Sequence, residues 1–279
     1  ALAGATLAAV VAFGSSDALA GAYGIAVSLL MAITTLLATF VALHWKYNPL
    51  LVYAVNGSLL AIDLLFVASA STKIADGGWF PLLIALVIAF LMLTWRKGEQ
   101  IMDAIRLEVR VRSQDFVEQV KSNPPFRIPG TAVVLGRMAR GVPLALSQNY
   151  KLNHVLHQRV LLVAVTTMEK PRLSDEDRVA VTSISDDMTR VELRFGFMED
   201  PNVPKGLEVA AARGQIAPLD LAQVIYYTGH ETLIPTDRPG MALWREALFA
   251  FMHHNAQRPG AYFKIPSAQI MEIGIEFEI

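Results

Sequence analysis

Up to Trp95 the chain alternates long, charge-free apolar runs with short polar breaks; beyond it, short apolar stretches alternate with turns. The clearest run is Gly77–Lys97 (GGWFPLLIALVIAFLMLTWRK), uncharged from Phe80 to Trp95 and closed by Arg96 and Lys97. As a helix, the segment from Trp79 to Trp95 spans ~25 Å, a slightly short bilayer crossing. Tryptophan at both ends suits the two membrane–water interfaces, and the Arg-Lys pair reads as a positive-inside stop. Earlier runs predict crossings at about 18–45 and 49–70, with Pro49 opening the second at a favoured first-turn position. Residues 1–13 are apolar but too short to span, a partial helix. Small residues in GAYGIAVS predict close helix approach, and Gly21 and Gly24 a bend or a locally unwound turn.

Composition sharpens this division. Of 24 Lys and Arg and 25 Asp and Glu residues, only Asp17, Lys46, Asp63, Lys73 and Asp76 precede Trp95. Such asymmetry describes two solvents, lipid for the first third and water for the rest. The expected organisation is multi-domain: a transmembrane region over 1–95, a basic amphipathic linker over 96–128, and a cytoplasmic mixed α/β domain over 129–279. Five Lys or Arg residues in 96–112 place that side in the cytoplasm. No cysteine is present, which excludes disulfide and thiolate chemistry. A net charge of −1 argues against nucleic-acid binding. A start without Met, inside an apolar run, reads as the C-terminal portion of a longer membrane protein.

Asp63 lies mid-helix in LLAIDLLFVA, where an ionisable group costs at least ~2.5 kcal/mol on insertion scales. Two readings stay open: a transport-path residue, or a structural aspartate bonded to a Ser, Thr or backbone N–H of a neighbouring helix. Thr34 and Thr35 form an intramembrane hydroxyl pair whose default partner is the carbonyl one turn back. With Tyr23, these make the transport-path candidates.

In the aqueous part, Ile101, Ile105, Val109, Phe116 and Val120 suggest one helical stripe, with Arg106, Arg110 and Arg112 turned away from it, either toward anionic head groups or onto a solvated helix face. Asn123-Pro124-Pro125 and Pro129-Gly130 read as a boundary. Strands are expected at 131–135, 159–167, 178–184, 189–197, 223–228 and 270–279, with a hairpin at Ser185–Met188. Helices are expected at 144–154, 204–213 and 240–255, the last with an apolar face of Leu243, Trp244, Ala247, Leu248 and Phe251. No P-loop, G-x-G-x-x-G or nucleophile elbow occurs, so no enzyme is indicated. The pairs His154/His157 and His253/His254 lack the accompanying ligands of a metal site. Tyr227, His230 and Glu231, beyond a strand, are candidates either for a regulatory-ligand edge or for a packed turn.

The segments Ala22–Ser28 (AYGIAVS), Gly77–Leu82 (GGWFPL) with Thr94-Trp95-Arg96, Pro129–Val133 (PGTAV) and Asn153–His157 (NHVLH) resemble the KUP/HAK/KT potassium-uptake family. To these add Arg194–Glu199 (RFGFME), Glu231–Pro235 (ETLIP), Leu243–Glu246 (LWRE) and Phe263–Pro266 (FKIP), so the likeness covers the whole chain in order. It departs at His230, where an arginine is usual, which weakens an anion contact there.

The resemblance implies the tail of a bacterial inner-membrane potassium importer, with K⁺ as transported ion, H⁺ as coupling ion and no cofactor. It also implies the last spans of a LeuT-like (APC-type) core, whose ion site is built largely by helices that precede this chain. The expected partners are membrane lipids, the N-terminal spans of the same protein and a second protomer. The cytoplasmic domain would serve regulation, stability or dimerisation. The alternative it suggests is a nucleotide-sensing module, of the kind that binds cyclic di-AMP in some potassium importers.

Overall fold

The computed structural model describes residues 4, 11, 13–136, 141–236, 240–256 and 259–279. The predicted partial helix over 1–13 therefore lies, apart from residues 4, 11 and 13, outside the described residues. The chain divides into two compact units, Ala1–Leu93 and Thr94–Ile279.

In the first unit, helix α1 (Ser16–His44) is capped by Ser15, whose side chain accepts from the Ala18 N–H. Helix α2 (Pro49–Ser71) is capped by Asn48 and starts on Pro49. A π-helical turn (Ile74–Gly78) then leads into α3 (Trp79–Glu108). Each of the segments Ser16–His44, Pro49–Ser71 and Ile74–Glu108 is long and apolar enough to cross a membrane.

The helix is not unwound at Gly21 and Gly24: α1 runs through both. Gly21 serves packing instead, while nothing lies within 4 Å of where a Cβ on Gly24 would stand. A Cβ on Gly21 would lie 3.5 Å from the Lys73 Cβ. Gly77 has φ 144°, and a Cβ there would come within 2.5 Å of the Ala18 carbonyl oxygen. The GGWF segment thus seats its turn against the small-residue face of α1.

The second unit is built on a six-stranded sheet in the order β3-β4-β2-β1-β5-β6. The strands are β1 (Phe126–Gly136), β2 (Val155–Met168), β3 (Val179–Ser185), β4 (Met188–Gly196), β5 (Ile225–Ile234) and β6 (Ile270–Glu278). All neighbouring pairs are parallel except β3–β4, the expected hairpin, which forms an antiparallel edge. A mixed α/β domain is thus observed.

The centres of β1 and β2 are apolar without alternation because both faces are covered. Val133, Leu135, Leu161 and Val163 pack with α6 (Val203–Ala212) on one side. Ala132, Val134, Val160 and Leu162 pack on the other, with Phe116 of α4 (Ser113–Ser122) and Leu146 and Tyr150 of α5 (Leu144–Asn153). Helix α7 (Leu243–His254) packs Phe249 with Met102 of α3 and Phe277 of β6.

Four sequence expectations need correction. Residues 96–128 are not a linker: α3 continues unbroken to Glu108, and Met102 and Phe116 are fully buried in the domain core. The single stripe from Ile101 to Val120 is interrupted between α3 and α4. Pro129-Gly130 is not a boundary but a bulge inside β1, with Gly130 at φ 100°. Finally, α7 turns inward Glu246 and Phe249, not its predicted apolar face. Gly98 decides that register, because the Phe249 ring occupies the space a Cβ would need, as close as 2.4 Å.

Candidate functional site

Each unit presents one candidate site. In the first, α1 and α2 are joined by a polar pair inside their apolar lengths: Thr35 Oγ1 donates to Asp63 Oδ2 at 2.6 Å. Asp63 is 5% exposed although nearly all its helix neighbours are exposed. Thr34 instead donates to the Leu30 carbonyl, and Thr39 to that of Thr35, the usual one-turn-back bonds. Thr35 is set apart by facing α2. Tyr23 does not join the pair: it is 71% exposed and lies ~18 Å along α1 from Thr35. A carboxylate with a hydroxyl supplies oxygen atoms of the kind a hard cation takes, and equally clamps two helices.

In the second unit a cavity of ≈ 590 Å³ opens at the carboxyl end of β1, beside residues 228–231 in the middle of β5. The chain passes from β1 to β2 on one side, while β5 joins β1 on the other. In open parallel sheets such a reversal leaves a crevice where ligands bind. The wall includes Trp95, Arg110, Thr228, His230, Glu231 and His253.

Its central feature was not legible from the sequence. Arg106 faces inward, with Nε 3.0 Å from Glu231 Oε1 and Nη2 2.5 Å from Oε2. Its Nη1 also bonds Asp103 at 2.8 Å and Glu99 at 3.3 Å. The expectation that Arg106 faces lipid head groups is corrected: its side chain is 8% exposed and surrounded by carboxylates. The available signal was Glu99, Asp103 and Arg106 at one-turn spacing. Trp95 stacks on His253 with ring centres 6.2 Å apart, and His253 Nε2 lies 3.8 Å from Glu231 Oε2.

Of the three predicted ligand-edge residues, His230 and Glu231 reach the cavity, and Tyr227 does not. The predicted turn is strand, since β5 continues to Ile234 paired with β6. Where β5 pairs with β1 both faces of the sheet are covered, so Tyr227 is held in the core, edge-on to His157 at 5.7 Å. Burial raises the Tyr227 phenol above its ordinary value and pushes that of Tyr226 up to about 12. His154 and His157 do not share a helix end: His154 is the left-handed cap of α5 and His157 lies in β2. Among the described residues, no cluster of three His, Asp or Glu could hold a metal ion.

The RFGFME segment is structural. Glu199 accepts from the Gly196 N–H at 2.7 Å and pairs with Arg178 at 2.9 Å. A Cβ on Gly196 would lie 2.3 Å from the Pro171 carbonyl oxygen, so only glycine fits.

The profile described as K+ potassium transporter integral membrane domain matches residues 1–100. That described as K+ potassium transporter C-terminal domain matches 129–279. The chain is 52% identical over 279 residues to "Probable potassium transport system protein Kup 3" of Bradyrhizobium diazoefficiens, covering 100% of this chain and 45% of the relative. It is 42% identical over 271 residues to "Probable potassium transport system protein Kup" of Myxococcus xanthus, covering 97% and 41%. To the Nitrosomonas eutropha protein of the same description it is 44% identical over 270 residues, covering 96% and 42%. The chain spans less than half the length of these relatives. With both profiles matched in order and the likeness running along its whole length, the chain belongs to the KUP-type K+ potassium transporter family, a family of transporters and not of enzymes.

Proposed function

We propose that this chain is the C-terminal part of a transporter that carries K⁺ into the cell, with H⁺ as the coupling ion. The observation that supports it best is the succession of both family matches along one chain, joined by α3. The three apolar helices would complete a LeuT-like core in the inner membrane, with the α/β domain in the cytoplasm, as the basic residues after Trp95 favour. Thr35 and Asp63 lie on or beside the transport path, and the α/β domain stabilises or regulates the core and pairs two protomers. Expression of the intact protein in cells that lack K⁺ uptake tests this. Growth on low K⁺ is expected; membrane expression without growth or K⁺ accumulation overturns it.

A second reading is favoured by the cavity at the sheet's reversal point: a nucleotide, of the cyclic di-AMP type, binds there and regulates transport. Because the Arg106 fork is already taken by Glu231, anion recognition falls chiefly to Arg110, with His230 a weaker contact than the arginine usual at that position. Calorimetric titration of cyclic di-AMP into the intact protein should give heat that Arg110→Ala diminishes. No heat with the unaltered protein overturns this reading.

A further inference from the structure

Helix α7 has the wrong face outward for a helix that meets water. Leu243 is 54% exposed, Trp244 64% and Phe251 67%, and Ala247 joins them on the outer surface. Inward it carries Glu246, 1% exposed, with neither carboxylate oxygen hydrogen-bonded among the described residues. A helix between a core and water shows the opposite arrangement, apolar stripe inside and carboxylate outside. Inverted amphipathicity points to a nonaqueous surface.

The place of α7 identifies that surface. It is fastened to the part of α3 where the apolar run gives way to charge. Arg245 Nε donates to Thr94 Oγ1 at 2.9 Å, and the Phe249 ring packs over Gly98 and lies 5.5 Å from Trp95. Arg96 and Lys97, at the same level, are exposed. Tryptophan followed by cations is what a helix carries where it leaves the hydrocarbon for the head groups. The outer face of α7 therefore sits beside a cationic rim, and the acid of that helix is turned away from it.

We propose that Leu243, Trp244, Ala247 and Phe251 dock α7 into the boundary between head groups and acyl chains of an anionic bilayer, with Arg96 and Lys97 on the phosphates. A few side chains on a helix ~18 Å long fall short of the ~800 Å² per partner of a stable protein interface. An interfacial helix needs no more than this.

The inference rests on α3 crossing the bilayer, and the test separates the two. These 279 residues hold no cysteine, so Ala247→Cys, Phe251→Cys, Leu86→Cys and Leu152→Cys can each carry one nitroxide in the intact protein once any cysteine outside this stretch is replaced. The proteins are reconstituted in vesicles of phosphatidylglycerol and phosphatidylethanolamine. Accessibility to oxygen and to a water-soluble nickel chelate is then read at each label. Leu86, midway between Trp79 and Trp95 of α3, reports the crossing, and Leu152, an exposed residue of α5, reports water. The ratio of oxygen to nickel accessibility at 247 and 251 is expected several-fold above that at 152 and below that at 86. A lipid signature at 86 with an aqueous one at 247 and 251 overturns the docking alone; an aqueous signature at all three overturns the crossing as well. Spin–spin broadening at 251 that vanishes on dilution with unlabelled protein, or shielding from both reagents, assigns the face to protein and overturns the proposal. As a check without labels, brominated lipids should quench the unaltered protein more than Trp244→Phe; equal quenching counts against docking.

Discussion

The guanidinium of Arg106 and the carboxylate of Glu231 meet across 125 residues of sequence in a two-pronged pair that ties α3 to β5. Both charges are largely out of water, so each depends on the other far more than a surface pair would. The helix continuous with a predicted membrane crossing is thereby fixed to the second strand from the edge of the sheet.

Removing the cation should do more damage than removing one acid. Arg106→Leu leaves Glu99, Asp103 and Glu231 without their shared counter-charge and should destabilise the domain by about 3–5 kcal/mol. Asp103→Asn, at a half-exposed partner, should cost less than about 1 kcal/mol. Thermal unfolding of the detergent-solubilised protein, followed by tryptophan fluorescence, checks the order; equal losses would show the buried pair to be unimportant.

At the membrane pair, Asp63→Asn keeps a partner for Thr35 but removes the ionisable group. On the transport reading, K⁺ uptake should fall and its pH dependence flatten. Thr35→Val should cost only the hydrogen bond, ~0.6 kcal/mol by the average for membrane helices. Unchanged uptake and pH profile in Asp63→Asn would leave the pair as a helix clamp alone.

Gly98 tests the seat of α7. A methyl group there would collide with the Phe249 ring, so Gly98→Ala should destabilise by about 1–3 kcal/mol. Phe249→Leu in the same molecule should recover part of that loss. A double variant no more stable than the single would mean that the clash is not what limits the site.

Acid stability should carry two signatures. Burial lowers the pKa of His157 below its ordinary 6.5, so the unfolded chain takes up the proton first. Stability from this group is complete above pH 6.5 and declines as pH falls from there through the folded value. Glu199 is held below its ordinary 4.5 chiefly by its hydrogen bond from Arg178, so its contribution is complete above pH 4.5 and is lost on further acidification. His157→Phe should flatten the first decline and Glu199→Gln the second, read as denaturant midpoints against pH. A His157→Phe profile parallel to that of the unaltered protein would contradict the first assignment.

Long uniform features were legible in the sequence. The apolar runs, their Pro49 and Trp95 punctuation, the β3–β4 hairpin and the apolar centre of β2 all follow from patterns within a few residues. The family segments resembled potassium-uptake proteins for reasons the structure makes physical, as at Gly77, Gly196 and Glu199, where backbone space or a buried bond fixes the residue. Errors came where a local pattern admits two environments. The apolar stripe of α7 looked like a core face, and the arginines after Lys97 looked uniformly exposed.

Hydropathy alone determined which stretches belong to oil and which to water, because transfer free energy sums along a segment regardless of its neighbours. Only the tertiary structure decided that Thr35 faces Asp63, that Tyr227 turns into the core while His230 and Glu231 reach the cavity, and which side of α7 looks outward. Those outcomes depend on what stands opposite, and the residue opposite is supplied by chain as distant as Arg106 is from Glu231.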